Sequence, residues 1–226
     1  TITSTDYDNS GAYLGQIIFR NTAVKSFTIT SPGERTFFIT SEKGANTSSV
    51  YSESALPQYI GMKFRRTGTN SGFSFTAKDG PIVITSTTCY PSSGSPLWLS
   101  GDIRVSGSIT WPQLSFWPAS DRTMPRSQLT ILEGGSFVVT NQTKALNANS
   151  TAFVVKKGGS LTFYGKTDGA FHQWGSRTAK HVVDGTLTID AVYRGGQSQI
   201  YGGSGVLSLS SIAPASAAAA WLMVDA

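Results

Sequence analysis

A glycine-led repeat constrains this chain more than any other feature. Four pentapeptides share one pattern: Gly135-Ser136-Phe137-Val138-Val139, Gly159-Ser160-Leu161-Thr162-Phe163, Gly185-Thr186-Leu187-Thr188-Ile189 and Gly205-Val206-Leu207-Ser208-Leu209. Each sets a glycine before an alternation of polar and apolar residues, with Val138 and Val206 standing at polar places. The leading glycines are 24, 26 and 20 residues apart. Short apolar runs precede the first three: Leu129 to Leu132, Phe153 to Val155, and Val182-Val183. One unit therefore reads as strand, tight glycine corner, strand and polar return.

Successive side chains of a strand point to opposite faces, so Phe137/Val139, Leu161/Phe163, Leu187/Ile189 and Leu207/Leu209 are expected to point inward. The leading glycines are expected to supply the positive φ of a sharp corner. A unit this short cannot bury its apolar face alone, whereas stacked units can. Repeats of roughly 20 to 50 residues are the mark of solenoids. The alternative is a β-sandwich of hairpins, whose turns recur about every 8 to 12 residues.

Composition narrows the class. Only 14% of the 226 residues are charged, which argues against helix bundles and charge-driven disorder and for a strand-rich body. Helical periodicity is confined to the tail, where Ala217 to Ala220 leads into Trp221-Leu222-Met223. The net charge is +5, but the 18 Lys and Arg are scattered, and the densest spot is Lys63-Phe64-Arg65-Arg66. With no basic stripe and no recognisable module, nucleic acid is not an expected partner. Acidic surface polysaccharide or lipid headgroups suit such a charge better.

A single cysteine, Cys89, excludes an intrachain disulfide and a cysteine metal site. The histidines, His172 and His181, have no zinc-type ligand pattern around them, so no metal is expected. Gly202-Gly203-Ser204-Gly205 lacks the Lys-Ser/Thr of a phosphate loop and reads as a corner, and no cofactor is expected. No apolar run approaches about 18 residues, so membrane insertion is not expected. The start, Thr1-Ile2-Thr3-Ser4, has no signal-peptide pattern and reads as that of a processed chain or a piece of a longer one.

Residues 1–90 are strand-rich but do not keep the later glycine phase, and they read as a separate region, of attachment or β-sandwich-like type. Ser26 to Ile29 and Thr36 to Ile39 are expected to form a hairpin across Ser31-Pro32-Gly33-Glu34. Ser41 to Ser54 reads as a surface loop. The Pro/Ser/Gly-rich Tyr90 to Pro96 marks the expected boundary to a repeat domain over 91–226, which ends in a capping tail.

Two excursions leave the repeat. Trp111 to Arg126 carries Trp111, Trp117, Arg122 and three prolines; Gly165 to Lys180 carries Phe171, His172, Trp174 and Arg177. Insertions of this kind form the binding face of many solenoids, and flat rings beside polar groups suit a sugar. Covering the grooves or ends of the stack is the other use of such segments. For catalysis, a glycosidase needs two carboxyl groups about 5 to 9.5 Å apart. Asp168 and Asp184 are the weak candidates, since no acidic pair has a diagnostic spacing and Asp184, like Glu133, sits beside a glycine corner.

The four glycine units resemble rungs of right-handed parallel β-helices, as in phage tailspikes and tail fibres and in secreted bacterial adhesins of the autotransporter or filamentous-haemagglutinin type. The resemblance covers roughly the last 110 to 130 residues. It implies an all-β chain with a parallel β-helix in its C-terminal half. The expected function is that of a non-enzymatic structural or receptor-binding domain of a tail spike or fibre. Implied partners are bacterial surface polysaccharide or an outer-membrane protein, two further copies in a homotrimer, and other virion tail proteins; the implied location is the virion tail. A secreted or cell-surface adhesin segment and a polysaccharide-degrading tailspike enzyme are the alternatives.

Overall fold

The computed structural model describes residues 12–14, 16–30, 36–40, 47–61, 63–67, 72–85, 102–112, 128–142, 152–165, 170–173, 179–195, 199–212 and 222–225. All regular elements among them are strands. A first nine-stranded sheet stacks β2 (Gln16–Phe19), β5 (Thr47–Ser52), β8 (Gly72–Ala77), β10 (Asp102–Ser106), β12 (Gln128–Ile131), β14 (Ala152–Val155), β17 (Ala179–Val183), β19 (Gln199–Gly202) and β21 (Leu222–Asp225). The second runs β3 (Thr28–Thr30), β6 (Gln58–Gly61), β9 (Ile82–Ile84), β11 (Ser108–Trp111), β13 (Ser136–Gln142), β15 (Ser160–Gly165), β18 (Thr186–Gly195) and β16 (Ala170–Gln173), with β20 (Val206–Ile212) also on β18. A short third sheet joins β1 (Ala12–Leu14), β4 (Thr36–Thr40) and β7 (Lys63–Thr67).

Pairing is parallel in all three sheets. Each first-sheet strand from β2 to β19 is followed in the chain by a second-sheet strand, so the chain travels from one sheet to the other, returns, and lays the next strand beside the last. Each circuit adds about 4.8 Å.

Register then aligns like with like. In the second sheet Ile82, Ile109, Phe137, Leu161, Leu187 and Leu207 form one column, and Trp111, Val139, Phe163, Ile189 and Leu209 another. In the first sheet Val50, Phe75, Val105, Ile131, Val155 and Val183 line up. Both sheets turn these columns into one shared core, in which Phe137, Leu161 and Leu187 are at most 1% exposed. Burial of each such side chain contributes about 1.5 to 3 kcal/mol before entropy is subtracted. Leu207 and Leu209, in the last second-sheet strand, are only partly covered.

The corners carry the ladder through without a break. Ser136 N–H donates to the Gly107 carbonyl, Ser160 to Gly135, Thr186 to Gly159 and Val206 to Gly185, at 2.8 to 2.9 Å. Positive φ falls at Gly107 (72°), Gly134 (67°), Gly158 (71°) and Gly203 (116°), not at the leading glycines of the repeat after Gly107. Those leading glycines answer a different demand. A Cβ on Gly185 would stand 2.2 Å from the Gly159 carbonyl oxygen, and one on Gly205 2.0 Å from that of Gly185. Glycine is needed there because the corners of successive circuits nearly touch.

Several expectations for the N-terminal region are corrected. β3 and β4 do not form a hairpin; β3 pairs β6 and β4 pairs β1 and β7, all in parallel. The segment Ser41 to Ser54 contains β5. The ladders also cross the expected boundary, since β8 pairs β10 and β9 pairs β11, although Tyr90 to Pro96 itself lies outside the described residues. The strands before residue 90 thus extend the same two sheets. In the tail, Leu222 and Met223 belong to strand β21 rather than to a helix.

The corner between β5 and β6 is closed by polar groups instead of glycine. Gln58, fully buried, donates from Nε2 to Ser54 Oγ (2.9 Å) and the Leu56 carbonyl (3.2 Å), while its Oε1 accepts from Phe27 N–H (2.9 Å). One amide therefore satisfies a buried bend and anchors the circuit before it.

Candidate binding surface

Because the core residues of the second sheet alternate with outward ones, its outer face is fixed by the same register. Ser108, Ser136, Ser160, Thr186 and Val206 form one outward column; Thr110, Val138, Thr162, Thr188 and Ser208 form the next. Eight of these ten positions carry a hydroxyl and none carries a charge. The columns stand roughly 6.6 Å apart and their members about 4.8 Å apart. One step further along lie the half-exposed ring of Tyr164 and Asp190, paired in register, with Asp190 Oδ1 accepting from Ser210 Oγ at 2.7 Å. Such a face offers hydrogen bonds and methyl groups to a neutral, hydroxyl-rich partner, with one ring to cover an apolar patch.

The first sheet presents a different outer face, with exposed Arg104 and Lys180 beside exposed Val182. At the edge of both sheets, β2 and β3 border an open cavity of about 420 Å³ lined by Ile18, Phe19, Arg20, Phe27 and Ile29 among others. Phe27 is 53% exposed there.

Only some of the residues singled out in the sequence fall in described parts. Trp111 is a core residue: it is 2% exposed, edge-on to Phe75 at 5.3 Å and tilted against Phe137 at 6.2 Å, so its ring is not open to a ligand outside. The period-2 alternation of β11, which buries Ile109, buries Trp111 as well. Phe171 and His172 lie on β16, opposite Tyr193 and Arg194 of β18, and only their backbone is described. Trp117, Arg122, Trp174, Arg177 and Asp168 lie outside the described residues.

Asp184 has a structural occupation. Its Oδ1 accepts from Ser204 N–H (3.2 Å) and Ser204 Oγ (3.3 Å), bracing one corner against the next. Asp190 does the same for Ser210 and lies within β18 rather than at its end. Among the described residues no three His, Cys, Asp or Glu come together as a metal site would require, and no helix is long and apolar enough to cross a membrane.

Sequence reasoning used the outward columns only as spacers between core residues. The signal was present, because Ser-x-Thr or Thr-x-Thr follows Gly107, Gly159 and Gly185. Comparison with family models, with curated proteins and with solved structures finds no match to this chain.

Proposed function

We propose that the chain forms a parallel β-helix and serves as a rigid, non-enzymatic receptor-binding domain of a phage tail spike or tail fibre, assembled as a trimer and contacting bacterial surface glycan or protein. The observation that carries this reading is the continuous register of the inward columns and of the corners, which supports a stiff body built of short circuits. Stiffness suits presentation. The uncharged hydroxyl face beside Tyr164 supports contact with sugar hydroxyls, and the aromatic residues Trp117, Phe171 and Trp174, with Arg122, His172 and Arg177, are the proposed ligand contacts of the excursions. The use of Asp184 as a corner brace supports a structural rather than catalytic role for that carboxylate.

The test is binding of the purified chain to capsule polysaccharide and lipopolysaccharide from candidate hosts, with reducing ends measured in parallel. The expected result is saturable binding without new reducing ends, weakened about tenfold or more by Trp117→Ala combined with Trp174→Ala. Release of reducing ends would replace the reading with an enzymatic one. Light scattering should return three times the 24.0 kDa of one chain.

A further inference from the structure

His181 is buried at 2% exposure in the first sheet, with its side chain turned into the core. Its ring lies between those of Phe153, one circuit earlier (5.1 Å, 29°), and Tyr201, one circuit later (4.4 Å, 16°). The Phe153 N–H donates to His181 Nδ1 at 3.0 Å. The main-chain register between β14 and β17 covers Val154 with Val182 and Val155 with Val183. The imidazole thus takes the bond of the amide just before that register. A nitrogen that accepts has no proton, so the proton of the neutral ring sits on Nε2.

We infer that His181 is an acid-sensitive joint, whose neutral imidazole ties β14 to β17 and whose protonation at Nδ1 opens that seam. A protonated ring is a donor at both nitrogens, so Nδ1–H would face Phe153 N–H and both groups would lose their bond. The charge would also sit in the core. The rings of Phe153 and Tyr201 flank it there. The Tyr201 phenol stacked on it brings no negative charge in acid. The flanking ring faces attract a cation weakly, but burial and the lost acceptor oppose it more strongly.

The sign follows. The folded state holds the neutral ring, while the unfolded chain takes up its proton near pH 6.5, so stability is complete above about 6.5 and declines as pH falls below it. The unfolding constant should rise by up to about tenfold per pH unit in that range. The first strands to loosen are β17 and those stacked beyond it in the first sheet, β19 and β21.

Urea unfolding of the whole chain at pH 7.5, 6.5 and 5.5, with amide-exchange protection factors at each pH, tests this. Protection of the Phe153 amide should fall with acid before that of Leu129, one circuit earlier. His181→Gln keeps an acceptor oxygen without the proton uptake and should flatten the pH slope. Equal slopes for wild type and His181→Gln would overturn the joint. Should that variant not fold, ¹⁵N spectra of the wild-type imidazole decide: an acceptor-type Nδ1 at pH 7.5, with proton uptake matching the loss of Phe153 protection, supports it. Proton uptake with Phe153 protection unchanged overturns it.

Discussion

Three glycine-to-alanine substitutions separate backbone strain from the crowding of neighbouring corners. Gly134 has φ of 67°, and a Cβ there meets nothing within 4 Å. Gly134→Ala should therefore cost only the left-handed strain, about 1 to 2 kcal/mol. Gly185 has no positive φ, but its Cβ would stand 2.2 Å from the Gly159 carbonyl oxygen. Gly185→Ala must spread two circuits and weaken the corner bond from Thr186 N–H and a ladder bond beside it, about 2 to 3 kcal/mol together. Gly107 combines both demands, with φ of 72° and a Cβ 1.7 Å from the Ala77 carbonyl oxygen, where at least 3.0 Å is needed. Gly107→Ala should cost about 3 to 5 kcal/mol. Equilibrium urea unfolding followed by far-ultraviolet circular dichroism measures all three. If Gly107→Ala falls within about 0.5 kcal/mol of Gly134→Ala, or Gly185→Ala behaves like a surface substitution of that size, the corners do not approach as described.

Other perturbations probe the core, the polar bend and the end of the stack. Leu161→Ala should lose about 2 to 5 kcal/mol, because both neighbours in its column are held by the ladder and cannot collapse into the cavity. The outward Thr162→Ala, by contrast, should change urea stability by no more than about 0.5 kcal/mol. Gln58→Leu leaves Phe27 N–H without its acceptor and should cost about 1 to 3 kcal/mol, with faster amide exchange at Phe27. Deleting residues 214–226 removes β21 and bares the edge of β19; size exclusion with light scattering should show aggregation or loss of the proposed trimer, and an unchanged soluble monomer counts against a covering role.

The repeat was legible where two signals coincide, a glycine at the corner and an alternation after it. Phe137, Leu161, Leu187 and Leu207 are expected in one column on that basis, and the register aligns them. The first ninety residues carry such a glycine at Gly80 but do not keep its phase. Their alternation is the same for an antiparallel hairpin and for a parallel circuit, and Ser31 to Glu34 has the composition of a hairpin turn, so the nearer partner was preferred. The true partner of β3 is β6, and Gln58 adds to their ladder as an acceptor for Phe27 N–H, a role that cannot be read from composition. The positive φ one residue before Gly135 and Gly159 was missed for a related reason: paired glycines do not announce which one bends and which one yields space. Trp111 opens a proline-rich segment and is expected at the binding face, but the alternation of β11 turns it into the core.

The through-corner ladder also determines where this chain tolerates novelty. Added length is expected to be tolerated only in the stretches between the strands, because the positions that must keep step are on the sheets and at the glycine bends. A foreign peptide spliced into such a stretch meets only a loop-closure cost that grows slowly with length, about 0.6 kcal/mol per doubling. The molecule is in that sense a rack: its shelves are fixed by backbone geometry, and what each one displays is free to change without resetting its neighbours.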